Sequence, residues 1–175
     1  MKIIATFDGS VLSESILPQL ETLSALPGAE FVLLRVTDMP HGQPLAEPGA
    51  PATGGSLAAG GASVVIGLPA TEYAENKEQA IERTNAEMSD YLRSMAQRLP
   101  AGAQCRTEVI LDGHPESAIV RFAITEDPDL IVMATHGHTG LVHMLFGDVA
   151  ESVVRSGVAP VLLVHPDEVR QTRGN

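Results

Sequence analysis

Between Leu130 and Val164 the chain reads LIVMATHGHTGLVHMLFGDVAESVVRSGVAPVLLV. The pattern is an apolar strand, a glycine-containing loop, a helix and a second apolar strand. A loop that leaves a parallel strand and enters a helix is a place where α/β proteins hold phosphate. The first N–H groups of the helix lack intrahelical partners, and the helix dipole favours an anion there. Gly137 and Gly147 are residues through which a backbone can approach a ligand closely. Asp148, directly after Gly147, is discordant. An ionised Asp accepts hydrogen bonds and donates none. Two like unit charges ~4 Å apart cost roughly 1 kcal/mol in water and about 4 kcal/mol at an effective dielectric of 20. Asp is also among the best helix N-caps, so the Asp148 carboxylate is expected to cap the last helix in the place a phosphate would take.

No Lys or Arg lies between Arg121 and Arg155, so nothing permanently cationic in that stretch offsets Asp148. His136, His138 and His143 do lie in or beside the loop. With Asp148 they include ligand types that suit a divalent transition metal. They lack a further fixed spacing and are read as polar surface, so no metal site is assigned. A free His titrates near ~6.5 and could supply positive charge conditionally.

Elements that would position this loop are readable along the rest of the chain. Lys2 to Phe7 is a short apolar strand that ends at the turn Asp8-Gly9-Ser10. Ser13, Ile16, Leu20 and Leu23 suggest a capped helix that stops near Pro27-Gly28, with Pro18 implying a late start or a kink. Glu30 to Thr37 is a second strand. Asp38 to Ala70 is rich in Gly, Pro, Ala and Ser and reads as a long flexible loop. Thr71 to Leu99 carries Ile81, Thr84, Met88, Leu92, Met95 and Leu99 at helical spacing, as a core-facing stripe would. Arg106 to Leu111, Leu130 to Ala134 and Pro160 to Val164 are three further strands. A helix from Pro115 to about Glu126 lies between the first two of them, and one from Asp148 to about Ser156 between the last two. Apolar strands alternating with helices predict a parallel sheet covered on both faces.

The 175 residues suffice for one domain with a sizeable core, and 44% of them are apolar. Aromatic residues make up only 3%, so Val, Leu, Ile, Ala and Met must fill the core. The net charge of −11 disfavours nonspecific binding to nucleic acid or anionic membranes, which needs basic patches. Cys105 is the single cysteine. It excludes an intrachain disulfide, fits a reducing cytoplasm and reads as a small residue entering a strand. No apolar run approaches the ~20 residues of a membrane helix. No nucleophile with a partnered base appears at a recognisable spacing, so the chain is not read as an enzyme and no catalytic residue is assigned.

The chain resembles the universal stress protein family. The likeness rests on TFDGS at the end of the first strand and LLRVTD at the end of the second. It rests also on DPDLIVMATHGHTGLVHMLFGDVAESVVRSGVAPVLLV. The resemblance implies a single α/β domain over 1–166, of the adenine nucleotide alpha hydrolase-like fold. Its sheet would have five parallel strands in the order 3-2-1-4-5, with helices on both faces. An insertion would span about 39–70 and a polar tail 167–175. The strand order puts the ligand crevice between strands one and four.

In the ATP-binding branch of the family, Gly, two residues, Gly, nine residues and Gly are followed by Ser or Thr. Here the frame runs from Ala134 through Gly137 and the nine residues His138 to Phe146 to Gly147, then Asp148. The implied nucleotide-binding residues are Thr6, Asp8, Val36, Met133, Ala134, Gly137, His138, Gly147, Asp148 and Val149. The implied cofactor is ATP or another adenine nucleotide, with or without a Mg²⁺ ion bridging phosphate and Asp148. The family also implies a cytoplasmic stress-response protein that dimerises through the last strand, here Pro160 to Val164. The alternative is a nucleotide-independent homodimeric scaffold whose phosphate site Asp148 blocks. If the loop histidines supply the missing positive charge, phosphate affinity should rise as the pH falls from about 7.5 to about 6. Calorimetric titration across that range checks this, and a flat affinity contradicts it.

Overall fold

A computed structural model describes residues 1–40, 77–135 and 147–165. The sheet consists of β1 (Lys2–Thr6), β2 (Glu30–Thr37), β3 (Gln104–Leu111), β4 (Leu130–Ala134) and β5 (Val161–Val164). The helices are α1 (Val11–Glu14), α2 (Leu17–Ser24), α3 (Lys77–Gln97), α4 (Pro115–Glu126) and α5 (Asp148–Ser156). All four strand pairings are parallel, and the order is β3-β2-β1-β4-β5, as the resemblance implied.

Alternation along the strands assigns the two faces. Ile3, Ala5, Phe31, Leu33 and Val132 pack with Ile16, Leu20, Leu92 and Met95, so α1, α2 and α3 cover one face. Ile4, Val32, Leu34, Ile131 and Met133 pack with Ile119, Ala123, Ala150 and Val153, so α4 and α5 cover the other. Because both faces are covered, the central strands read as continuous apolar runs rather than as alternation.

The helix expected after β1 is two helices. Ser10, not Ser13, caps α1, its side chain accepting from the Ser13 N–H. Pro18 falls in the first turn of α2, where a missing N–H costs nothing. On α3, Leu92, Met95 and the following Leu99 are buried, whereas Ile81, Thr84 and Met88 are only half-buried. The expected stripe is therefore deepest at the C-terminal end of the helix. The segments 41–76 and 166–175 lie outside the described residues. They hold nearly all of the insertion at about 39–70, and the tail at 167–175.

At the amino ends of the strands, Glu126 closes α4 and accepts from Lys2 at 3.2 Å and Arg106 at 2.6 Å. The Arg106 hydrogen bond, with Lys2 second, holds the Glu126 carboxyl below its ordinary range. This charge cluster ties β1 and β3 to α4 at the end of the sheet away from the glycine loop.

Candidate functional site

The helices that follow β1 lie on one face of the sheet, and α5, which follows β4, lies on the other. Between the carboxyl ends of these two strands lies a cavity of about 330 Å³. That is near the lower end of the roughly 300–1,000 Å³ typical of small-molecule pockets. Thr6, Asp8, Val36, Met133, Ala134, Gly147, Asp148 and Val149 all line it. Eight of the ten expected residues are thus brought together from β1, β2, β4 and α5, although 142 positions separate the first from the last. Gly137 and His138 lie outside the described residues, as do His136 and His143.

The wall toward β2 and α4 is apolar. Leu34 and Val36 are two apart on β2 and therefore share a face, and Met133 and Ile119 complete the surface. Leu34 was legible from that period, but Ile119 was not, because α4 reaches the cavity only through tertiary packing. Asp112 braces the entry to α4. It accepts from the His114 backbone N–H at 2.9 Å and from the Arg121 guanidinium. The His114 bond is the main cause that keeps its carboxyl below the usual range. Pro115, which opens α4, also lines the cavity.

Asp8 stands on a rigid turn. Its Oδ1 accepts from the Ser10 N–H at 2.8 Å and the Ser10 hydroxyl at 2.6 Å. The Ser13 hydroxyl accepts from the Asp8 N–H at 3.3 Å and donates to the Ser10 carbonyl at 2.8 Å. Ser13 is buried and lines the cavity. Its place in the sequence marks it only as a helix cap.

Gly9, at φ +84°, allows the turn to close over Arg35. The Arg35 guanidinium lies 4.9 Å from the centre of the Tyr91 ring, which in turn meets Phe7 edge to face. Burial is the main cause that pushes the Tyr91 phenol up. Arg35 was invisible as a support because a strand residue gives no sign of which loop it will underlie.

At the helix end, Gly147 donates to the Thr135 carbonyl at 2.7 Å and so joins the two ends of the segment 136–146. A Cβ on Gly147 would lie 3.3 Å from that carbonyl, a tight contact that a small shift of the backbone would have to relieve. Thr135 is buried, and its hydroxyl is 2.9 Å from His165 Nδ1.

The expected cap is corrected here. Gly147, extended at φ −73° and ψ 155°, is the N-cap of α5, and its carbonyl accepts from the Glu151 N–H at 2.9 Å. The bond ladder therefore begins one residue before Asp148. Asp148 is already inside the first turn, exposed, and no side-chain cap closes the helix. Among the described residues no group of three or more His, Cys, Asp or Glu could hold a metal ion. Cys105 lies in β3, and burial pushes its thiol up.

The cavity lies at the switch point of a 3-2-1-4-5 sheet, the place where open α/β sheets hold ligands, and is bounded by a carboxylate turn and a helix N-terminus. The family model of the universal stress proteins matches residues 1–165, and the chain belongs to that family. It is 38% identical over 102 residues to a universal stress protein of Methanocaldococcus jannaschii. That match covers 58% of this chain and 58% of the relative's length. A universal stress protein solved in complex with cAMP superposes with TM-score 0.59 at 18% identity, covering 94% of this chain and 96% of its own. An Arabidopsis thaliana family protein with AMP bound gives TM-score 0.55 at 15% identity, covering 95% and 92%. At such identities these two likenesses concern the fold.

Gly9→Ala should cost about 1–2 kcal/mol of stability from the left-handed backbone alone. The new Cβ would also come within 2.5–2.8 Å of the Arg35 guanidinium. Urea unfolding measures the loss. In an Arg35→Ala background it should shrink without vanishing, because only the contact is removed.

Proposed function

We propose that the protein is a non-enzymatic regulatory member of the family that binds an adenine nucleotide between the carboxyl ends of β1 and β4. The observation that carries this reading is the make-up of the cavity. Leu34, Val36, Met133 and Ile119 offer an apolar surface for a flat heterocycle. Asp8 offers a fixed acceptor for a ribose hydroxyl or an exocyclic amine. The α5 N-terminus offers N–H groups to phosphate. The cAMP and AMP complexes of family proteins support the adenine class. ATP, alone or with Mg²⁺ shared between phosphate and Asp148, falls within the same class. The reading takes 1–166 as one cytoplasmic domain carrying the insertion at about 39–70, and 167–175 as its tail.

Titration of the purified protein with AMP near neutral pH should give saturable binding. Val36→Asp, which puts a carboxylate into the apolar wall, should weaken it at least about tenfold. A wild-type protein that binds no adenine nucleotide, nor adenosine, overturns the reading.

A second reading has its own support. Edge strand β5 reads VLLV, and Leu162 is 37% exposed on it. An apolar edge of this kind tends to pair with another strand. Pairing with a second copy through Pro160 to Val164 would make a two-fold homodimer, whether it is nucleotide-binding or a nucleotide-independent scaffold with Asp148 closing the phosphate end. Sedimentation should show a dimer that Leu162→Lys shifts to monomer. A wild-type monomer at tens of micromolar contradicts it.

A further inference from the structure

We propose that Asp148 makes the cavity select adenine nucleotides of low phosphate charge, cyclic and 5′-monophosphates, over di- and triphosphates. The inference rests on the nucleotide reading above and names the ligand within that class. Asp148 lines the cavity from the first turn of α5, and it is not consumed as the helix cap, because Gly147 holds that position. As the first residue of α5 it is next in the chain to the N–H groups that would receive phosphate. Its carboxylate has no hydrogen to donate to the ligand.

Among the described residues, the charge lining the cavity is of one sign. Asp8 and Asp148 are its ionisable lining residues among those described, and none of its lining residues is Lys or Arg. The segment 136–146 joins β4 to α5, and 41–76 follows β2. Both are outside the described residues, and neither contains Lys or Arg in its sequence. A 5′-monophosphate carries about −1.5 to −2 charge at neutral pH. A cyclic phosphodiester carries about one negative charge. Each further phosphate adds roughly one more. The helix N-terminus supplies only about half a unit of positive charge, so it offsets part of one phosphate's charge and nothing of the charge that each further phosphate adds. Asp148 is exposed, so its repulsion belongs at the aqueous end of the scale, a factor of about five for each added charge.

The test is calorimetric titration in EDTA at low salt with adenosine, cAMP, AMP, ADP and ATP, using the wild type and D148N. AMP should bind the wild type roughly ten- to thirtyfold more tightly than ATP, with ADP between. D148N should reduce that ratio at least about fivefold by strengthening ATP, and leave adenosine unchanged. The ratio in the wild type should also fall as salt is raised, since the carboxylate is exposed. Thermal unfolding of D148N establishes that the variant is folded.

ATP binding as tight as AMP in the wild type overturns the proposal, as does a ratio that D148N leaves unmoved. A second titration with excess Mg²⁺ separates the remaining possibility. ATP tighter than AMP only with Mg²⁺, and lost in D148N, would make the carboxylate a metal ligand and overturn the filter. Failure of adenosine and every nucleotide to bind overturns the nucleotide reading itself. Adenosine binding with no phosphate discrimination overturns the filter alone.

Discussion

The parallel pairing of β1 with β4 is the constraint on which the site depends. Ile3, Ile4 and Ala5 lie opposite Leu130, Ile131 and Val132. Crossovers between parallel strands are right-handed. Chain growth from β1 through β2 to β3 therefore lays α1, α2 and α3 on one face. Growth in the other direction, from β4 to β5, lays α5 on the opposite face, beside α4. The helices that follow adjacent strands β1 and β4 thus lie on opposite faces, and the gap between the carboxyl ends of the two strands is the cavity. Ile3, Ile4, Ala5, Ile131 and Val132 are fully buried, so the pairing is held from both sides. Slipping it by one residue would exchange the residues of the two core faces and misfit both.

Once the gap exists, its walls follow from what each strand end presents. β2 adds Leu34 and Val36 on the α4 side and Arg35 on the other. One strand thus supplies both the apolar wall and the support beneath the Asp8 turn. The stacking of Arg35 on Tyr91 carries that support back to α3, and the Phe7–Tyr91 contact carries it to the end of β1. The cavity is apolar in its walls and acidic in its ionisable groups. That combination suits a largely apolar heterocycle with little phosphate charge better than a polyphosphate.

Much of this was legible along the chain. The bounds of β2, α4, β4 and α5 follow from apolar runs and helical spacing, and from Pro115 at a helix start. Eight of the ten expected site residues line one cavity because each sits at the carboxyl end of a strand or the start of a helix. Parallel topology must gather those positions at one end of the sheet. Less legible were the division of the first helix at Pro18 and the shallow first half of α3. Both depend on how deeply an element sinks into a core that sequence spacing describes only in direction.

Asp148 marks the boundary between the two kinds of information. By itself, the sequence determined that an acid follows Gly147 and that no Lys or Arg lies between Arg121 and Arg155. It also determined, through periodicity, that strand, loop and helix succeed one another there. Whether the acid would cap the helix or stand inside its first turn was decided by tertiary structure. The Gly147 N–H bonds to the Thr135 carbonyl, a contact across the fold, and the helical ladder begins at the carbonyl of the same residue. A one-residue shift in that start separates an acid that closes the helix from one that lines the cavity inside the first turn. No local propensity distinguishes the two, because Asp is favoured both at the N-cap and in the first turn.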